Sequence, residues 1–391
     1  MIFVNTFIRF QFSPPNGLGQ KLDVNGQSCA PYLTVVGCVN MISSGQKSKN
    51  LIGSSKEDLE ALAEELGQPK FRGRQVYEGI YKGRALDLHA LTNLNLRFRA
   101  ELSERFRVSY PTIERESSSQ DGAVKYLFRL EDGNSIETVY MPEETRTTLC
   151  LSSQVGCAVD CRFCFTALLG VKRNLAAGEI VGQVLAVAQA QTIPHRARLN
   201  VVFMGMGEPL LNLEPVMKAV KIMADPKALE IPLRRITIST AGVVPRIYEL
   251  ARDPMRPKLA VSLNASNDQQ RNGIMPLNRK YPLQQLLAAC REYPLRAREH
   301  LTFEYVMLDG VNDTKADAAR VVQLVNGIRC KINLIPYNSG SELPYRASPL
   351  KRVLQFQEIL MAGKIPTYIR ISRGQDVRAA CGQLSLAGAN A

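Results

Sequence analysis

From about residue 144 onward the chain repeats one pattern, a short run rich in β-branched and aromatic residues followed by a helical run. The strand candidates are TTLCLSS, LNVVFMG, RRITIST, KLAVSLN, LTFEYVM and KINLIPY. Between them apolar residues recur at helical spacing, as in Ile180, Val184 and Val187, or Val216, Val220 and Met223. Six strand–helix units in series leave few solutions, because parallel strands need a crossover and a helix is the usual one. Six is fewer than the eight that close a TIM barrel. The predicted fold class is therefore α/β, a partial (β/α)6 TIM-like barrel over residues 144–376. A final strand, TYIRISRG, leads into a C-terminal tail, residues 377–391, that carries Cys381.

The barrel has a preamble of different character. Residues 51–120 read as a small, basic, helical accessory domain. Ser55 with Asp58 three residues on is an N-terminal cap, and Leu59, Leu62 and Leu66 follow at helical spacing until Gly67 and Pro69 stop the helix. A second helix runs through Phe71, Val76 and Ile80. Nucleic-acid binding and simple packing both fit such a unit. Residues 121–143 read as a β-hairpin extension, with VKYLFRL and SIETVY flanking the turn Glu131-Asp132-Gly133-Asn134. Residues 1–50 are rich in Gly, Ser, Asn and Pro without a period, and are expected to be a disordered leader. Met41 offers an alternative start within it, so part of the leader could be a misassigned translation start.

The net charge of +13 favours a polyanionic partner, most simply nucleic acid, although a generally basic surface kept for solubility also gives it. Basic residues at Lys70, Arg72, Arg74, Arg105, Arg107, Lys172, Arg173, Arg234, Arg235, Arg279 and Lys280 spread over the chain, which suggests a broad positive face. No apolar run reaches membrane-spanning length, and MIFVNTFIRFQF lacks the basic start and cleavage site of a signal peptide. The nine cysteines, an odd number, suit a reducing compartment. A cytoplasmic protein is expected.

Three of those cysteines, Cys157, Cys161 and Cys164, stand in the run CAVDCRFC. A C-x3-C-x2-C triplet can hold three irons of a [4Fe–4S] cluster and leave the fourth iron open to a small molecule. A structural zinc site would normally pair two such hooks, and no second hook or nearby His is present in the sequence. Buried, unligated cysteines are the remaining alternative. In parallel α/β folds ligands bind at the C-terminal ends of the strands. That rim carries the triplet, Gly207 and Glu208, Ser239, Asn264 and Asn338. Each polar residue singly would pass as a helix cap, but together they ring the open iron. Glu137 is a candidate general base, with a solvated strand residue as the alternative. Cys381, in a tail beyond the last strand, stands in an odd place for a core residue.

These motifs resemble those of the radical S-adenosylmethionine (SAM) enzymes. More closely, they resemble the RlmN-type dual-specificity adenine-C2 methyltransferases of 23S rRNA and tRNA. The resemblance runs from about residue 54 to the C-terminus, through TTLCLSSQVGCAVDCRFCFTALLGVKRNL, FMGMGEPLLN, RRITISTAGVVPRI, AVSLNASND, IMPLNRKYPL, EYVMLDGVND, NLIPYN and RGQDVRAACGQL. It implies a cluster on Cys157, Cys161 and Cys164, and SAM contacts from Gly207, Glu208, Ser239, Ser262, Leu263, Asn264 and Asn338. It implies two SAM per turnover. One methylates Cys381, and the other yields a 5′-deoxyadenosyl radical that takes hydrogen from that methyl group. The carbon then adds to adenine C2, and Cys150 resolves the adduct by forming a disulfide with Cys381. Glu137 matches the family's proton acceptor. Implied partners are 23S rRNA, an adenine in the tRNA anticodon loop and an electron donor such as flavodoxin, with a monomeric enzyme. The related C8-specific resistance methyltransferases and a non-catalytic iron–sulfur RNA-binding factor are the competing readings. Two positions depart from the family pattern, Asn264 where His is frequent and Phe165 where a small residue is more usual.

Overall fold

The structure, a computed structural model, describes residues 48–386. The expected leader lies outside them up to residue 47, as do residues 387–391 of the tail. The described chain opens with strand β1 (Lys49–Asn50), followed by helices α1 (Lys56–Glu65), α2 (Lys70–Tyr81) and α3 (Leu96–Arg105) and strand β2 (Phe106–Arg107). Ser55 and Asp58 close a reciprocal capping box on α1, satisfying backbone donors that the helix start would otherwise leave bare. The boundary placed at residue 50 shifts, because β1 already pairs in parallel with β2 and Leu51 beside it is buried.

Next come strands β3 (Thr112–Ser118), β4 (Val124–Arg129), β5 (Ser135–Glu143) and β6 (Arg146–Cys150). Residues 112–118 were expected within the helical unit and are instead an edge strand antiparallel to β4. A short ribbon of β7 (Gln154–Gly156) and β8 (Val171–Asn174) follows. The alternating part is α4 (Ala177–Ala190), β9 (Leu199–Phe203), α5 (Leu213–Ala224), β10 (Ile236–Thr240), α6 (Val244–Arg252), β11 (Lys258–Ser262), α7 (Asp268–Ile274), α8 (Leu283–Glu292), β12 (Leu301–Met307), α9 (Lys315–Leu324), β13 (Cys330–Pro336), α10 (Leu350–Ala362) and β14 (Thr367–Ile369).

One ten-stranded sheet joins these parts in the order β14-β13-β12-β11-β10-β9-β6-β5-β4-β3. From β6 to β14 all pairings are parallel, and β3 to β6 are antiparallel. The six anticipated strand–helix units are present, β14 adds a parallel seventh strand, and the barrel stays open. The hairpin is therefore no appendage, since β5 pairs with the first barrel strand and extends its wall.

Strand alternation separates two environments. In β12, Leu301, Phe303, Tyr305 and Met307 are fully buried against the helical layer. Thr302, Glu304 and Val306 take the opposite face, towards the lumen. Burying each large apolar side chain contributes about 1.5–3 kcal/mol, so this outer layer holds the wall and frees the lumen for polar groups.

Candidate active site

Cys150 ends β6, and the cysteine loop follows β7 at the C-terminal end of the parallel strands. Backbone bonds fix that loop, with Cys157 N donating to Gly170 O (2.9 Å), Arg162 N to Ile274 O (2.9 Å) and Cys164 N to Cys161 O (2.9 Å). Cys157, Cys161 and Cys164 pack against an apolar nest that includes Val159, Phe163, Ile274, Met275 and Tyr337. Burial pushes the Cys157 thiol up to about 12, and it pushes Cys161 and Cys164 above the ordinary thiol value too. Such thiols ionise when a metal takes the proton's place. Among the described residues, no three His, Cys, Asp or Glu side chains converge on a point that one ion could fill. A cubane, whose thiolates bind separate irons at its corners, fits the triplet better than a single tetrahedral zinc ion does.

The neighbouring rim is knitted around one peptide. Glu208 is buried, and its Oε2 accepts from Ala241 N (2.7 Å) while its Oε1 accepts from Leu210 N (3.1 Å). Burial raises its carboxyl to about 7 against the opposing pull of these bonds. Ala241 O is held from the other side by Arg271 Nη2 (2.6 Å). The same guanidinium donates to Ser262 O (2.9 Å), Leu263 O (3.1 Å) and Asn278 Oδ1 (3.0 Å). Gly207 has φ 103°, and a Cβ there would come within 2.6 Å of Gln154 Cβ. Only glycine takes that conformation and that approach without strain. Asn264 also has positive φ, 55°. Its side chain turns inward, accepting from Val306 N (2.9 Å) and meeting Met275 Sδ (3.3 Å), and its carbonyl accepts from Asn312 Nδ2 (2.7 Å). Ser239 occupies the lumen face at the end of β10. Thr240 next to it serves as a cap, accepting from Gly242 N (3.0 Å).

The tail closes over this rim. Phe165 N donates to Gly382 O (2.8 Å), and Thr166 Oγ1 donates to Leu384 O (2.6 Å). The buried Phe165 ring lies against Gly340, where a Cβ would meet it at 2.4 Å, so this larger residue fills the space between the cluster loop and the loop after β13. Asn338 Nδ2 donates to Cys381 O (3.1 Å), and Asn338 Oδ1 accepts from Gln375 Nε2 (2.8 Å). Asn338 is thus engaged with the tail here. Cys150 and Cys381 are both free thiols. Burial pushes the Cys150 thiol up, and the Cys381 thiol is near enough to add to the shift. Cys381 keeps exposed surface, and desolvation raises its thiol as well. Glu137 is buried on β5, with its carboxylate bonded to Lys125 Nζ (2.9 Å), Ser385 N (2.9 Å) and Leu386 N (3.2 Å). It is not a solvated strand residue.

Two contributors escaped sequence reasoning. Arg271 sits in a polar helical run with no motif to mark it. Lys125 could have been found, because the turn at 131–134 sets Leu127 opposite Glu137 and so puts Lys125 on the same face. Several candidate phosphate contacts are already ion-paired, namely Lys70 with Glu64, Arg74 with Glu60, Arg107 with Glu131 and Arg173 with Asp132 and Glu179. A cavity of about 260 Å³ lined by Arg84, His195 and Arg235 lies at the opposite end of the strands, away from this chemistry.

A partial parallel barrel with three cysteines in the loop after its first strand is radical SAM architecture. The family model described as the radical SAM superfamily matches residues 151–322. A second, the ribosomal RNA large subunit methyltransferase N-terminal domain, matches residues 49–108. A probable dual-specificity RNA methyltransferase RlmN of Koribacter versatilis is 48% identical, over 82% of this chain and 97% of that protein. The dual-specificity RNA methyltransferase RlmN of Rhodospirillum rubrum is 46% identical, over 86% of this chain and 80% of its own. The crystal structure of a radical SAM methyltransferase from Sphaerobacter thermophilus superposes with a TM-score of 0.81 at 44% identity, covering 86% of this chain and 99% of that one. The chain belongs to the RlmN family of dual-specificity RNA methyltransferases.

Proposed function

We propose that this protein methylates the C2 carbon of an adenine in 23S rRNA and of an adenine in the tRNA anticodon loop, with Cys381 as methyl carrier and Cys150 as resolving thiol. The observation that carries the reading is the seating of Cys381. Residues 374–386 hold it beside the cysteine loop and against the sheet row of Lys125, Val139 and Cys150, the last more than two hundred residues away in sequence.

When bound, the [4Fe–4S] cluster and SAM supply the methyl group and the one-electron chemistry that an unreactive aromatic carbon demands. Cys157, Cys161 and Cys164 would hold the cluster. Gly207, Glu208, Ser239, Ser262, Leu263, Asn264 and Asn338 would line the SAM site. The Glu208–Ala241–Arg271 network fixes the backbone there. Cys381 would take the methyl group on sulfur and, after one hydrogen atom passes from it to the SAM-derived radical, would bond through that carbon to adenine C2, the adduct then giving up the C2 proton and returning one electron to the bound cluster. The Cys150 thiolate would then attack the Cys381 sulfur and break its bond to carbon; the released carbon would take a proton to become the methyl group, and a protein disulfide would remain. Burial of Cys150 keeps water from the resolving thiol. The target base has to leave its stack to enter, and the positive charge holds the RNA backbone while it does. The reading also includes an electron donor such as flavodoxin, a monomeric enzyme and a cytoplasmic setting. No described helix is long and apolar enough to cross a membrane.

The test is the mass of the peptide bearing Cys381 from anaerobically reconstituted protein incubated with SAM. A gain of one methylene unit on Cys381 supports the assignment. Methylation confined to RNA, with Cys381 unmodified and Cys381→Ala fully active, refutes it.

A further inference from the structure

Lys125 has no role in the scheme above, yet it is a buried cation on the wall beside Cys150. Pairing sets Lys125 opposite Val139 and Val139 opposite Cys150, so the three stand in one row across β4, β5 and β6. Glu137 lies one alternation further along β5 on the same face. The Lys125–Glu137 pair is almost wholly enclosed, with side-chain exposures of 9% and 2%. A buried ion pair is a poor source of stability, because desolvating both charges consumes most of what their attraction returns. This pair has second partners, and all of them are on the tail. Lys125 Nζ reaches Arg378 O (3.3 Å), three residues before Cys381. Glu137 accepts from the amides of Ser385 and Leu386, four and five residues after it.

We propose that Lys125 is a positioning residue which, with Glu137, forms a two-ended clamp that grips the tail on both sides of Cys381 and holds that cysteine at the wall that carries Cys150. Lys125 holds one end and aims the Glu137 carboxylate at the other. Asn338 fixes the middle through the carbonyl of Cys381 itself. A consequence concerns Glu137. With the tail seated the carboxylate accepts from three donors, two of them on Oε2, and lifting residues 385 and 386 would free that oxygen for the proton-accepting role implied by resemblance. This inference rests on Cys381 being the methyl carrier.

The experiment is hydrogen exchange with mass spectrometry on the full-length, reconstituted holoenzyme. It compares the wild type with Lys125→Met, Lys125→Arg and Glu137→Gln, and scores Cys381 methylation in the same samples. In Lys125→Met the tail amides of residues 378–386 should exchange about ten-fold faster or more, the factor set by one lost hydrogen bond to a charged group. Barrel exchange and iron content should be unchanged and Cys381 methylation slowed. Lys125→Arg, which keeps a donor, should restore both tail protection and methylation. Glu137→Gln should loosen residues 385 and 386 while leaving Arg378 held. The proposal is overturned if tail protection is unaltered in both Lys125→Met and Glu137→Gln, or if the barrel loosens as much as the tail. The two layers separate cleanly. A wild type that never methylates Cys381 sinks the functional reading and with it the positioning role that rests on it, even where exchange shows the tail gripped. A methylating wild type with an unmoved tail in the variants sinks the clamp alone.

Discussion

Arg271→Met should be among the most damaging single substitutions away from the cysteines. The side chain has no solvent exposure and makes four hydrogen bonds, three of them to the carbonyls of Ala241, Ser262 and Leu263. Burial lowers its pKa to about 10, which still leaves it charged at neutral pH. Bonds to a charged group each contribute about 1.5–3 kcal/mol, and the desolvation of the guanidinium cancels several kcal/mol of their sum. Methionine fills similar space but strips this donor from three carbonyls, of which Leu263 O keeps its bond from Ala265 N (2.8 Å), so the net loss should be about 3–5 kcal/mol. That is a large share of the roughly 5–15 kcal/mol that holds a typical domain. Urea unfolding of the apo-protein reads it directly. Arg271→Lys should recover part of the loss, since an ammonium reaches fewer of the diverging carbonyls. SAM affinity should fall with stability, because Ala241 is the peptide clamped between Arg271 and Glu208. A loss below about 1 kcal/mol in Arg271→Met, with SAM affinity unchanged, would refute the idea that this network organises the rim.

Other substitutions probe separate parts. Gly207→Ala puts a Cβ against Gln154 at positive φ and should reduce SAM binding, measured by equilibrium dialysis, with cluster iron intact. Cys150→Ala should leave Cys381 able to take a methyl group but unable to release product, so a covalent protein–RNA species should accumulate on a denaturing gel. Glu304→Gln tests a buried lumen carboxyl whose pKa burial raises above 4.5 and whose Oε1 accepts from Asn333 Nδ2 (2.9 Å). A raised carboxyl contributes its stability below pH 4.5 and loses it as pH climbs through the folded value. The variant should therefore match the wild type near pH 4.5 and melt at a higher temperature at pH 8, in thermal scans of the apo-protein.

The parallel barrel was legible because each strand and helix carries its own local period, and the cysteine triplet because its spacing is contained in eight residues. Strand β3 was not, because an edge strand exposed along most of TIERESS has no apolar face to announce it. The seat of the tail was out of reach for another reason. Its partners, Phe165, Asn338, Lys125 and Glu137, are brought together by sheet order and not by sequence. Asn338 is a candidate from its place on the strand rim and Glu137 from its carboxylate, and the structure shows both engaged with the tail. Asn264 likewise sits where expected, but with its amide turned into the fold.

The central claim is regiospecific methylation of an RNA adenine. The most direct measurement incubates the anaerobically reconstituted enzyme with SAM, a reductant and unmodified 23S rRNA fragment or tRNA. The RNA is then digested and its nucleosides resolved by mass spectrometry against 2-methyl- and 8-methyladenosine standards. The account predicts 2-methyladenosine from both RNAs and its loss in Cys381→Ala. Formation of 8-methyladenosine alone, or of no methyladenosine while the cluster is intact, would contradict it.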